Sequence, residues 1–134
     1  MTGKIIIDAS NAPLGRLCSV AAKKALLGNS VVVVNCNNAV VSGRKRGVID
    51  SYRESRMRGG SSLNGPHFPK NPERIVKRTI RGMLSYKEGR GRDAFGRIIC
   101  YNDTPAEFIE SKKLTLEKEF KVKTISLNNL SKEI

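Results

Sequence analysis

Arg74, Lys77, Arg78 and Arg81 recur at i, i+3, i+4 and i+7 of the segment NPERIVKRTIRGML. On a helix of about 3.6 residues per turn these four cations line one side. Ile75, Val76, Ile80, Met83 and Leu84 occupy much of the remaining circumference, so the same helix offers an apolar face to a core and a basic face outward. A solvated polar face would mix signs, yet only Glu73 in the first turn is acidic. The chemistry this spacing suits is the neutralisation of phosphates along a nucleic acid backbone.

Two other residues could carry chemistry. Asp8 sits where a strand feeds a helix, the position at which open α/β sheets bind ligands. With no second acid, histidine or cysteine visibly paired with it, a bond to neighbouring turn backbone is the simpler expectation. His67, the single histidine, lies in the loop string Gly-Pro-His-Phe-Pro, where it could act as a base, stack on RNA or pack locally. No nucleophile adjoins it, so contact with RNA or packing is expected rather than catalysis. Phe68 and Tyr86 read as local anchors, with base stacking left open by the cations around them. The turn after the first strand lacks both GxGxxG and GxxxxGK[ST], so neither dinucleotide nor triphosphate binding is supported, and no cofactor or small-molecule substrate is expected. Cys18, Cys36 and Cys100 have no CxxC or Cys-His spacing, and buried thiols are expected in place of a metal site.

The elements that must position the basic stripe are well punctuated. Lys4 to Ala9 is a β-branched strand, and Leu14, Leu17, Cys18, Ala21, Ala22 and Ala25 then keep helical spacing. Asn11 or a neighbour can cap that helix, Pro13 suits its first turn, and Gly28 with Asn29 ends it. Val31 to Cys36 reads as a strand buried on both faces, so the opening is a right-handed βαβ unit of a parallel sheet. Ser42 can cap a second helix running to about Arg58, with Val48, Ile49 and Tyr52 inward and Arg44, Lys45, Arg46, Arg53 and Arg56 elsewhere. Gly59 to Asn71 reads as an extended loop reaching outward, after which Asn71 caps and Pro72 opens the basic helix. Gly89, Gly91 and Gly96 interleave with Arg90, Arg92 and Arg97, which would bring backbone N–H groups and guanidinium forks close to phosphate. Arg97 to Tyr101 is a third strand, Ala106 to Phe120 a mixed-charge helix, and Val122 to Ser126 a fourth strand before a short helical close through Leu127, Leu130 and Ile134.

Composition narrows the partner. The chain has 134 residues, 39% hydrophobic, with a formal net charge of +13, enough for one domain with a core and a strong field for polyanions. Residues 1–43 carry 4 basic and 1 acidic side chains, residues 44–92 carry 14 and 4, and residues 93–134 carry 7 and 7, giving +3, +10 and 0. The middle section 44–92 is therefore the expected binding surface of a single domain spanning 1–134. The longest apolar run, Val31 to Val34, is far short of the roughly 20 residues that cross a bilayer, and the opening MTGKIIIDAS is too short for an export signal. A cytoplasmic protein is expected. An anionic-membrane binder would need an exposed apolar helix face, which the core requires here.

The string NAPLGRLCSVAAKKALLGNSVVVVNCNNAVVSGRKR and the later GPHFPKNPERIVKRTIRGMLSYKEGRGRDAFGRIICYND closely resemble the universal large-subunit ribosomal protein thirteen family. The most specific blocks are Leu14-Gly15-Arg16-Leu17, Val32-Val33-Val34-Asn35, Ser42-Gly43, Pro72-Glu73-Arg74-Ile75 and Arg81-Gly82-Met83-Leu84. The compact GPHFPKNP loop looks like the archaeal and eukaryotic branch. After Asp103 the likeness fades, and a Gly-Trp-like ending is missing.

The resemblance implies an α/β fold, three-layer α/β/α, with a mainly parallel four-stranded sheet in the order 3-2-1-4. It implies a structural constituent of the large ribosomal subunit that binds large-subunit rRNA, supports its assembly and meets neighbouring ribosomal proteins, without catalysis. It carries RNA contact onto Arg44, Lys45, Arg46, Arg74, Lys77, Arg78, Arg81 and Lys87. For Arg53, Arg56, Arg58, Arg90 and Arg92 the charge and glycine context argue the same, and His67 and Lys70 join them from the loop. The rival from another class is an RNA-processing enzyme on the same scaffold, with Asp8 or His67 catalytic.

Overall fold

A computed structural model describes residues 3–57, 69–110, 112–116 and 123–134. The order begins with β1 (Lys4–Asp8), α1 (Leu14–Leu26), β2 (Ser30–Val34), a 3-10 turn (Cys36–Asn38) and β3 (Val40–Ser42). It continues with α2 (Lys45–Met57), α3 (Pro72–Gly82), α4 (Gly89–Gly96) and β4 (Ile98–Cys100). A second 3-10 turn (Ala106–Phe108), β5 (Leu114–Thr115), β6 (Thr124–Ser126) and α5 (Leu127–Glu133) close it.

The main sheet runs β4-β2-β1-β5 with every pair parallel, which makes this an α/β fold with the βαβ opening the sequence called for. Strand alternation divides the sheet's two faces. Ile7, Val31, Val33 and Ile98 join Leu17, Cys18, Ala21, Val76 and Ile80 in the large core beneath α1 and α3. Ile6, Val32 and Val34 point to the other face, where among the described residues Phe108 and Tyr101 of the 3-10 turn and its approach cover them. The continuous valines are thus buried on both faces, as their lack of alternation requires.

The C-terminal third departs from expectation. The stretch from Ala106 is not a long helix: a three-residue 3-10 turn follows Pro105, and Leu114–Thr115 then pairs in parallel with Ile7 and Asp8. The open edge of β1 carries unpaired N–H and C=O groups, and satisfying them outweighs a mixed-charge segment's weak helical tendency. Residues 117–120 of that expected helix lie outside the described residues. Thr124–Ser126 is a strand, but it does not join the main sheet; it pairs antiparallel with Val40–Ser42, in a second, two-stranded sheet. The expected order 3-2-1-4 therefore holds for its first three strands, while the fourth place belongs to Leu114–Thr115.

Two helix starts also shift. Ser42 does not cap α2, because it is held in β3 opposite Thr124, and the first helical bond runs from Val48 N to Arg44 O at 3.0 Å. Gly43, at φ +130°, makes the bend between strand and helix, a conformation other residues resist. For α1 the N-cap is Pro13, in extended conformation and without a side-chain cap bond, and Asn11 sits in the preceding turn at φ 55°. Gly28, at φ 98°, ends α1 as its sequence position predicts. The glycine-arginine segment forms the eight-residue helix α4, so its interior N–H groups serve the helix itself.

Candidate nucleic-acid interface

The basic helix α3 forms over Pro72–Gly82, with Pro72 at its first position and Glu73 in its first turn. Asn71 occupies the N-cap but makes no side-chain cap bond. The missing acceptor comes from elsewhere in the chain: the Glu73 N–H donates to Asn102 Oδ1 at 2.9 Å. Pro72, Ile75, Val76 and Ile80 are buried. Cys18 Sγ lies 3.7 Å from Val76 O, where α1 and α3 meet. With that face committed to the core, the opposite face must look outward.

There the four predicted cations line one depression of about 230 Å³, together with Pro69 and Phe95. Arg74 is exposed, and Lys77, Arg78 and Arg81 are partly so. The Arg81 guanidinium carbon lies 5.0 Å from the centre of the Tyr86 ring, which fixes the fork without removing its charge. Lys77 behaves differently. Its Nζ donates to Phe95 O at 3.0 Å and to Ile98 O, and sits 4.3 Å above the Phe95 ring. Burial holds this ammonium below the usual lysine range, with the nearby Cys100 pulling the other way. Lys77 thus ties α3 to the carboxyl end of α4 and the start of β4 while its charge still borders the depression.

The other predicted residues divide by location. Arg44, Lys45 and Arg46 are exposed around the start of α2. Arg53 is exposed too, and its Nη2 donates to Glu133 O, joining α2 to the end of α5. Lys87, Arg90 and Arg92 are exposed at the entry to α4, with Arg92 Nη2 donating to Lys87 O at 3.3 Å. Lys70 is exposed just before α3. Arg58 and His67 lie outside the described residues, as does Phe68, and of Arg56 only the helical backbone is described. The four α3 cations are the ones that share a single concave surface; Pro69 and Phe95 complete it without any cationic signal that could have marked them in the sequence.

Asp8 is engaged within the protein. Its Oδ1 accepts from Ser10 N and from Asn35 Nδ2, both at 3.0 Å, and Asn35 Oδ1 in turn accepts from Thr104 Oγ1 at 2.9 Å. The expected turn bond is present, extended into a clamp across the carboxyl ends of β1 and β2. Burial alone would push this carboxyl up, but the Asn35 and Ser10 bonds and the Lys113 charge hold it below its ordinary value of 3.8. A carboxyl lowered on folding contributes stability that is complete above its unfolded pKa and disappears as pH falls through the folded one. The stability difference between wild type and Asp8→Asn in urea unfolding is therefore expected to be full at neutral pH and to shrink below pH 3.8. An unchanged difference at pH 2 would contradict this.

The three cysteines, isolated in sequence, come near one another. Cys18 and Cys36 are buried, and the approach of the Cys36 and Cys100 thiols pushes the pKa of the first up and that of the second down. Among the described residues no group of three or more His, Cys, Asp or Glu side chains could hold a metal ion, and no helix is long and apolar enough to cross a membrane.

The family profile described as Ribosomal protein L13 matches residues 3–107. The Large ribosomal subunit protein uL13 of Methanosarcina barkeri is 46% identical over 112 residues, covering 83% of this chain and 79% of that protein. The protein of the same name from Natronomonas pharaonis is 40% identical over 131 residues, 97% of this chain and 90% of its own. That of Methanocaldococcus jannaschii is 39% identical over 132 residues, covering 96% of both. The profile stops close to Asp103, where the likeness in sequence also fades, while the last two relatives align through the C-terminal region.

Proposed function

This chain belongs to the ribosomal protein L13 family, and from that premise we propose that it is a structural constituent of the large ribosomal subunit, bound to its rRNA. Its 134 residues act as one domain whose section 44–92 meets the RNA, and its other partners are neighbouring ribosomal proteins. The observation that carries the reading is the α3 depression: Arg74, Lys77, Arg78 and Arg81 line one concave surface on a helix whose other face is locked in the core. Such a mount holds cations where converging RNA segments repel one another, and relieving that repulsion aids assembly. Arg44, Lys45, Arg46, Lys70, Lys87, Arg90 and Arg92 extend the contact from exposed positions on either side in sequence. The role is structural rather than enzymatic, and the internal bonds of Asp8 fit a fold-holding carboxylate.

With about eight phosphates neutralised, the slope of log affinity against log salt is expected near −6 to −7. Binding of the purified chain to large-subunit RNA, measured from low to moderate salt, gives the number directly. A slope close to zero rejects phosphate neutralisation as the binding mode.

A further inference from the structure

Beside the basic depression lies a second and larger one. A cleft of about 390 Å³ separates α2 from α3, with Ser51, Tyr52 and Ser55 on one wall and Ile75, Arg78 and Thr79 on the other. Pro69 and Arg78 line both hollows, so the phosphate-binding surface continues directly into this cleft. Its volume falls in the range of small-molecule sites. Its walls are unlike those of the basic hollow. Ile75 and the half-buried Tyr52 give apolar surface, while serine and threonine hydroxyls and one guanidinium stand around it.

A nucleobase has matching chemistry: a flat apolar face and a rim of donors and acceptors. We infer that the α2–α3 cleft receives one unpaired base of the bound RNA, turned in at Arg78 while the flanking phosphates rest on Arg74 and Arg81. This rests on the reading of the chain as an RNA binder and adds to it a preference for unpaired nucleotides. Tyr52 offers its ring to the base, and burial pushes its hydroxyl further above the usual tyrosine range. Thr79 Oγ1 already donates to Ile75 O at 2.8 Å, which leaves that oxygen free to accept from a base amino or imino group.

Two labelled RNA probes of equal length and charge test the inference on the full chain: a twelve-residue uridine strand and the corresponding abasic ribose-phosphate strand. Wild type is expected to bind the uridine strand about tenfold more tightly, as one stacked base provides. Ser55→Phe, which fills the cleft from α2, and Thr79→Met, which fills it from α3, are expected to abolish that advantage and leave the abasic affinity unchanged. Melting curves of both variants establish that the fold is retained. Equal binding of the two strands by wild type, or an advantage that survives both fillings, overturns the base site. The second result would also be seen if the cleft belongs to a side chain of a neighbouring protein. If neither strand binds in a salt-dependent way, the RNA reading itself fails, an outcome distinct from the other two.

Discussion

Replacing Arg74 and Arg81 together by glutamate is expected to weaken binding to large-subunit RNA about a hundredfold at moderate salt and to flatten the salt slope by roughly 2. Both side chains line the α3 depression, and neither is held by a hydrogen bond that the fold is shown to depend on. On the proposed reading the exchange removes two phosphate partners and places two repelling charges in their stead. Arg81 also gives up its seat on the exposed Tyr86 ring, a loss of about 0.5–1 kcal/mol that a melting curve would register as small. The corresponding glutamine pair, which removes charge without reversing it, should fall between. A dissociation constant within threefold of wild type, in a variant that still folds, would mean that α3 faces something other than RNA.

Gly91→Ala is expected to be the most damaging single methyl group that can be added to this chain at a described glycine. A Cβ at Gly91 would stand 2.1 Å from Ser85 O and 2.4 Å from Ser85 C. These are backbone atoms, so no rotamer change relieves the clash, and α4 must separate from the turn that precedes it. Overpacking against fixed backbone costs about 3 kcal/mol or more, a fall of roughly 10 °C in Tm for a domain of this size. Because α4 packs on α1 and adjoins β4, the loss spreads to the floor of the core and to Phe95 at the edge of the basic depression. Gly47→Ala supplies the contrast. It lies inside α2, and beyond its chain neighbours and the backbone of its own helix nothing comes within 4 Å of the added carbon, so helix propensity alone acts and stability should rise by up to about 1 kcal/mol. Similar Tm values for the two variants would disprove the close approach at Ser85.

The same two helices mark what could and could not be read from the sequence. The α3 stripe was legible because a single residue period fixes both its faces, and burial of Ile75, Val76 and Ile80 follows from that period alone. Helix α4 was not: three glycines in eight residues argue against a helix locally, and the reason for Gly91 is a contact with Ser85 that only the folded chain makes. Asn102 as the cap of α3 was equally hidden, since it comes from the far side of β4. The inward turn of Lys77 was half visible. It falls at the margin of the stripe nearest Ile80, where a long side chain can reach either solvent or the carbonyls of a neighbouring element, and tertiary packing chose the carbonyls. The last strands were misplaced because a two-residue strand such as Leu114–Thr115 is specified by the edge it completes and scarcely by its own residues.

The register that sets Val31 against Ile98 and Val33 against Cys100 has a kinetic side. These partners meet only when the entire cationic stretch between them has been looped out and drawn back, so ring-closure entropy and like-charge repulsion resist one and the same event. Closing the sheet is therefore the step in folding most exposed to ionic strength. Counterions should hasten it while loosening the proposed grip on RNA, so that salt is expected to act with opposite sign on how quickly this protein is made ready and on how firmly it then holds.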